Sequence, residues 1–390
     1  MTRVGLVVNP VAGLGGRVGL GGTDGPDRAR TALSLGARPL AGARAAAALG
    51  ELAARTGESA RGRLLVVTAA GRLGADAVAA AGLTERIVYA AGAGRDTSAA
   101  DTAAAVRAVV AESVDLLLFA GGDGTARDVL GALGPSGVLG SPGYVPCPVL
   151  GVPTGVKMHS AVFAVSPRAA GEVAGAWLAR AGGVRLRDAE VMDRDEEALA
   201  EGRVTSRLFG WLPVPDVPVR VQQRKTGSTA ASPGAVGGIA AEVAGRVGEG
   251  LLAIGPGSTT RAVAAALGAD VSLTGVDALA LRPGHPPRIV ARDAGEDTLL
   301  ALGPAWIALS PIGGQGFLLG RGNQQISPRV LRATGGRERL LVLCTEAKLA
   351  ALGGRPLLLD TGDDALDAEL SGHLPVITGR RRTSLYRLAM

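Results

Sequence analysis

Continuous apolar runs of strand length alternate with amphipathic, alanine-rich segments through the first half of the chain. Val4–Val8, Leu64–Thr68, Ile87–Ala90 and Leu116–Ala120 are the runs, and their lack of alternation is the pattern of strands covered on both faces. Between them, Arg28–Leu35, Ala41–Arg55, Ala75–Ala81 and Thr97–Val110 carry apolar positions at helical spacing. The β-α-β-α-β order predicts an α/β fold whose N-terminal domain is a doubly wound, mostly parallel sheet. Ligands bind such sheets at the carboxyl ends of the strands.

Gly134–Pro148 is rich in glycine and proline and reads as a loop; Pro148–Val152 follows as a strand and Pro167–Arg180 as a helix. Period-two character over Val184–Val191 and Val204–Val221 predicts a β-rich linker region, with Asp193, Asp195, Glu196 and Glu197 as an acidic cluster inside it. From Pro233 the alternation returns: strands at Leu251–Ile254, Val271–Val276, Trp306–Leu309, Leu340–Leu343 and Leu357–Leu359, and a helix ending at Leu267. The second half is therefore expected to be a mixed α/β domain, with the division at 1–165 and 166–390. No internal repeat implies a solenoid.

Candidate chemistry gathers where these strands end. The run to Ala120 stops at Gly121-Gly122-Asp123-Gly124-Thr125 and gives way to a helical pattern. A buried strand, a glycine turn and a helix start present backbone N–H groups to an anion. Glycine leaves room for a phosphate and opens positive φ to the turn, and Thr125 is placed to cap the helix. Asp123 is the exception, since a carboxylate repels the phosphate the turn attracts. It suits a metal ion or a hydroxyl to be deprotonated, as phosphoryl transfer requires. The bland alternative is a tight turn with a solvated aspartate.

Other strand-end loops supply further candidates. Asn9, Pro10 and Gly13 open a long glycine loop, and Thr154, Gly155 and Lys157 follow the Pro148–Val152 strand, with Lys157 within reach of a phosphate or else starting a solvated helix. His159 reads as a hydrogen-bonded structural residue. Glu190 and Asp193 suit a ribose or a metal, or equally the cap of a following helix. In the second half Gly257, Ser258 and Thr259, then Gln315, Arg321 and Asn323, lie in glycine-rich loops expected to face the Gly121 turn across a cleft and bind the acceptor, Arg321 clamping a pyrophosphate.

Composition narrows the field. At 390 residues, 47% of them hydrophobic, the chain holds more than one core. Aromatic residues are only 3%, too few for base-stacking platforms, so nucleic acid is not an expected partner. The net charge is +6, and all but Lys157, Lys225 and Lys348 of the 41 basic residues are arginines, mostly scattered. Cys147 and Cys344 match no metal or redox spacing, and the three histidines are isolated. With no signal peptide or membrane-length apolar run, a cytoplasmic protein without membrane partners is expected. No Gly-Lys dipeptide and no Gly-x-Ser-x-Gly elbow occurs, which removes the Walker A loop and the commonest α/β-hydrolase arrangement.

Asn9-Pro10-Val11-Ala12-Gly13 with Gly121-Gly122-Asp123-Gly124-Thr125 resembles the superfamily of NAD kinases and diacylglycerol and sphingosine kinases. Gly22-Thr23-Asp24-Gly25, Gly151–Ser160 and Ile312–Pro328 narrow the resemblance to the ATP-NAD kinase group that includes the acetoin-catabolism X proteins, over nearly the whole chain. The resemblance implies phosphorylation of the adenosine 2′-hydroxyl of NAD by ATP or polyphosphate with Mg²⁺. It makes Asp123 the base and Gly121, Gly122, Gly124 and Thr125 the phosphate cradle. Asp24 joins the acceptor-binding residues, no metal ligands are assigned, and a homo-oligomer is expected. Orthodox NAD kinases differ in an all-β second domain and a Gly-Ser-Thr-Ala-Tyr loop, here echoed by Gly257-Ser258-Thr259-Thr260. Lipid kinases carry Thr-x-Asn-Asp where this chain has Val156-Lys157-Met158-His159. A kinase of another diol, a sugar or an acetoin-related metabolite, and a nucleotide-binding regulator without turnover, remain as alternatives.

Overall fold

Leu116–Gly121, the run that ends at the glycine turn, lies inside a five-stranded sheet with every residue buried. A computed structural model of the chain describes residues 2–20, 26–57, 64–92, 97–134, 147–155, 158–180, 183–194, 206–217, 220–221 and 233–390. Its strands and helices, in order, are β1 (Thr2–Val8), α1 (Pro26–Ser34), α2 (Ala41–Thr56), β2 (Leu64–Ala69), α3 (Ala75–Ala80), β3 (Thr84–Tyr89), α4 (Ala99–Ala111), β4 (Leu116–Gly121), α5 (Asp123–Leu133), β5 (Val149–Pro153) and α6 (Pro167–Leu178). A hairpin of β6 (Arg185–Arg194) and β7 (Ser206–Asp216) follows. Then come α7 (Pro233–Val247), β8 (Gly250–Ile254), α8 (Ser258–Leu267), β9 (Asp277–Arg282), β10 (His285–Ala291), α9 (Glu296–Leu302), β11 (Trp306–Leu309), β12 (Phe317–Leu319) and α10 (Pro328–Thr334). The last elements are β13 (Leu340–Leu343), α11 (Glu346–Ala350), β14 (Leu357–Leu359), α12 (Asp364–Leu370), β15 (Gly372–Gly379) and β16 (Arg382–Ala389).

The chain divides into two compact units, Met1–Leu14 with Arg38–Arg224, and Gly15–Ala37 with Lys225–Met390. In the first, the sheet order is β3-β2-β1-β4-β5, with every neighbouring pair parallel. Strand order therefore reverses between β1 and β4, where Val8 pairs with Ala120. The crevice outside the carboxyl ends of two such strands is where doubly wound sheets bind ligands. Helix starts follow local chemistry: Ser98 and Asp101 form a reciprocal capping box on α4, and Ser166 caps α6 ahead of Pro167.

The β-rich linker is the β6–β7 hairpin, paired in antiparallel register from Arg185–Asp216 to Arg194–Ser206. Glu190 and Asp193 lie on β6, so they are strand residues and cap no helix there. Asp195, Glu196 and Glu197 lie outside the described residues.

The second unit holds a nine-stranded mixed sheet, ordered β10-β9-β8-β11-β13-β15-β16-β14-β12. Its central strands are apolar on both faces. Leu252, Ile254, Leu341 and Leu343 pack with Ile239, Val243 and Val263 of α7 and α8, while Ala253, Ile307, Leu309 and Val342 pack with Leu299, Val330 and Leu366 of α9, α10 and α12. Two expectations change here. Val271–Val276 is not a strand: the buried Asp277 carboxylate accepts from Ser272 N–H at 2.6 Å and Asp293 N–H at 2.8 Å, holding that stretch as a loop before β9. The closing hairpin β15–β16 was not foreseen; Arg380-Arg381 forms its turn, with Arg381 at φ 52, and Arg382 opens β16.

Candidate active site

Three loops of the first unit meet at the carboxyl ends of β1, β4 and β5. Asn9 N–H donates to Ala120 C=O at 2.9 Å and Thr154 N–H to Gly121 C=O at 3.0 Å, so each loop is tied to the end of β4 by its own backbone. Asn9 Nδ2 donates to Thr125 Oγ1 at 3.0 Å, and Val11 N–H donates to Asn9 Oδ1 at 3.2 Å. Pro10 therefore sits inside a turn closed by the Asn9 side chain. Gly13, at φ 81, passes so close to Thr154 that a Cβ would lie 2.0 Å from its carbonyl oxygen. Glycine is required there on both counts.

The Gly121–Thr125 turn works differently from the sequence expectation. None of Gly121, Gly122 and Gly124 has positive φ; Gly122 is extended, at φ −121 and ψ −163. Their missing side chains matter instead. A Cβ on Gly121 would lie 2.3 Å from the Thr125 side chain, whereas one on Gly122 would meet only Gly155 Cα at 3.5 Å, and one on Gly124 nothing within 4 Å. Gly122, not Thr125, is the N-cap of α5. Thr125 is buried in the first turn and its hydroxyl is engaged by Asn9.

Asp123 opens α5 and is only 6% exposed. Its Oδ2 accepts from His159 N–H at 2.7 Å, and its Oδ1 accepts from Ser160 N–H at 3.0 Å and Ser160 Oγ–H at 2.6 Å. Burial pushes the carboxyl up to about 7, against the pull of those three donors, and the nearby Asp193 charge adds to the rise. A buried acid poised near neutrality can carry a proton in either direction at physiological pH. Asp193 is ion-paired with Arg127 at 3.0 Å, and burial lifts Asp128 to about 6. The Thr154 hydroxyl is buried beside this turn with no hydrogen-bond partner among the described residues.

Family models now bear on the geometry. The ATP-NAD kinase N-terminal domain matches residues 4–181, and the ATP-NAD kinase C-terminal domain matches residues 248–388. The chain belongs to the ATP-NAD kinase family. Comparison with curated proteins and with solved structures gave no match. The family is one of phosphotransferases acting on an alcohol, and both of its domains support ATP-dependent phosphorylation of NAD here.

The remaining candidates of this kinase fall into three groups. Lys157 and Asp24 lie outside the described residues. Glu190, on β6, accepts from Ala161 N–H through its backbone carbonyl at 2.9 Å. In the second unit, Gly257 is the N-cap of α8, with Ser258 and Thr259 in its first turn. Thr259 Oγ1 accepts from Lys348 Nζ at 3.2 Å, and Lys348 also donates to Ser310 Oγ at 2.9 Å. Gln315 is buried in the turn before β12.

Arg321 is put to a use the sequence did not suggest. It is buried in an ion pair with Asp360 at 2.8 Å, donates to Gly320 C=O and lies over the Phe317 ring, 4.6 Å from its centroid. Asn323 likewise accepts from Gly320 N–H and donates to Leu318 C=O. Both make contacts that hold their own loop in shape.

Ser160 was missed: it joins the site by folding back onto Asp123, which no spacing announces. Burial pushes the Cys147 and Cys344 thiols up to about 11, so neither offers a thiolate at neutral pH. No helix among the described residues is long and apolar enough to cross a membrane.

Proposed function

We propose that this chain transfers the terminal phosphoryl group of ATP to the adenosine 2′-hydroxyl of NAD at the carboxyl ends of β1 and β4, with Asp123 as general base. The observation that carries this reading is the buried Asp123 carboxyl, held at about 7 at the start of α5 beside an open Gly122 and Gly124. In the transfer, the bond from the 2′-oxygen to phosphorus forms and the bond from phosphorus to the ADP oxygen breaks. The hydroxyl proton passes to Asp123 Oδ2. Phosphoryl transfer asks for positioning and charge neutralisation more than covalent chemistry. The N–H groups at the start of α5 supply the second, and the loops of Asn9, Gly13 and Thr154–Gly155 supply the first. Thr154 Oγ1, buried and lacking a partner among the described residues, is the hydroxyl this reading assigns to a phosphate oxygen.

Mg²⁺ is expected with the nucleotide. Among the described residues no group of three or more His, Cys, Asp or Glu side chains that could hold a metal ion is found. No step above is routed through the ion. Initial rates with NAD as acceptor and ATP or polyphosphate as donor, in the native chain and in Asp123→Ala, test the assignment. Loss of NADP formation with retained ATP binding in the variant is expected; near-native turnover would remove Asp123 as the base.

A further inference from the structure

Ser160 is wholly buried, and its hydroxyl has more acceptors than protons. Oγ lies 2.6 Å from Asp123 Oδ1 and 2.8 Å from Met192 C=O, and it accepts from Met192 N–H at 2.9 Å. A hydroxyl donates one proton, so it serves Asp123 or the Met192 carbonyl, one at a time. Towards a charged carboxylate the bond is charge-assisted and the stronger of the two. Towards a neutral acid that advantage shrinks, and the strand carbonyl competes. No heavy atom has to move between the two arrangements.

The two carboxylate oxygens are unequal as a result. Among the described residues, Oδ1 receives both Ser160 donors, while Oδ2 receives one, His159 N–H. Oδ2 therefore keeps the open lone pair. Resting on the reading of Asp123 as base, we propose that Ser160 is a positioning residue for phosphoryl transfer. Its hydroxyl anchors Oδ1, bonds the ionised base in preference to the neutral acid, and leaves Oδ2 to take the acceptor proton. Other titratable groups lie on the elements packed around Asp123. Asp193 of β6 opposes ionisation of Asp123 and is paired with Arg127 of α5, Asp128 lies further along α5, and the His159 ring is bonded to Ser206. All of these stay constant when only Ser160 is changed.

The test uses the full chain as Ser160→Ala and as Ser160→Cys, which is close in shape and a weaker donor. Two quantities are read: titration of the Asp123 carboxyl by ¹³C NMR, assigned by difference against Asp123→Asn, and the acidic limb of kcat/KM for NAD. Ser160→Ala removes a donor that favours the charged form over the neutral one. Both midpoints should rise by about one pH unit, with kcat falling by about tenfold at pH 6 and much less at pH 9. Ser160→Cys should fall between, and it carries the test alone if the alanine variant does not fold. An unchanged carboxyl titration in a folded variant overturns the proposal. A shifted titration with an unchanged rate profile keeps the hold of Ser160 on Asp123 and overturns the base reading instead.

Discussion

The backbone N–H of His159 donates to Asp123 Oδ2 at 2.7 Å, tying the start of α5 to the loop beyond β5. The carboxylate thus has a structural task beside its chemical one. Asp123→Asn should lower kcat by roughly 10²–10⁴-fold, the usual cost of losing a general base. It should also turn an amide NH₂ towards His159 N–H or the Ser160 donors, costing about 1–3 kcal/mol. Thermal melts alongside kcat check this: a variant that is inactive yet melts with the native protein would mean that the three hydrogen bonds contribute nothing to stability.

The pH dependence follows from the same carboxyl. With Asp123 lifted to about 7 by burial, the base is mostly protonated at pH 6 and mostly ionised at pH 8. The kcat/KM profile should rise through about 7 and then level. The sign for stability is opposite. A folded value above the unfolded one favours the native state at low pH, and that advantage is lost as pH rises from about 4 to about 7. Denaturant midpoints should show the margin of the native chain over Asp123→Asn narrowing across that window. A margin that widens would contradict it.

Gly121 and Gly122 should respond differently to the same added methyl. At Gly121 a Cβ would lie 2.3 Å from the Thr125 side chain, so Gly121→Ala should destabilise by about 1–3 kcal/mol. At Gly122 the backbone is extended and the nearest atom 3.5 Å away, so Gly122→Ala should cost under about 1 kcal/mol. It should nonetheless raise the ATP Kd by about tenfold, because the methyl enters the space meant for phosphate. Calorimetric titration and melting curves of the two variants separate these effects; unaltered ATP affinity in Gly122→Ala would show that the turn holds no phosphate.

Thr154→Val keeps the shape and removes a hydroxyl that has no partner among the described residues. Stability should hold, while kcat/KM for ATP falls by about 10–100-fold, the range for a hydrogen bond to a charged group. A loss of melting temperature with normal kinetics would reassign the hydroxyl to the fold.

Much of this architecture was legible beforehand because strands covered on both faces read as unbroken apolar runs. Leu116–Gly121, Trp306–Leu309 and Leu357–Leu359 stood out for that reason. Val271–Val276 misled because its apolar content is that of a strand, while the carboxylate that bends it, Asp277, lies one residue outside it. β16 escaped notice because its residues face partly outward and it opens on the last of three arginines. The site divided the same way. Asp123 and its glycines are contiguous and could be read together. Asp123's hydrogen-bond donors come from His159 and Ser160, and the Arg321 counter-ion is Asp360, both pairings made by tertiary folding.

The most direct test of the central claim is phosphate-31 NMR of the native chain with ATP, Mg²⁺ and NAD. The expected result is the phosphomonoester signal of a ribose 2′-phosphate growing in equal measure with ADP, and absent in Asp123→Ala. ATP consumed with no phosphomonoester on NAD, or a phosphomonoester appearing only when another diol replaces NAD, would contradict it.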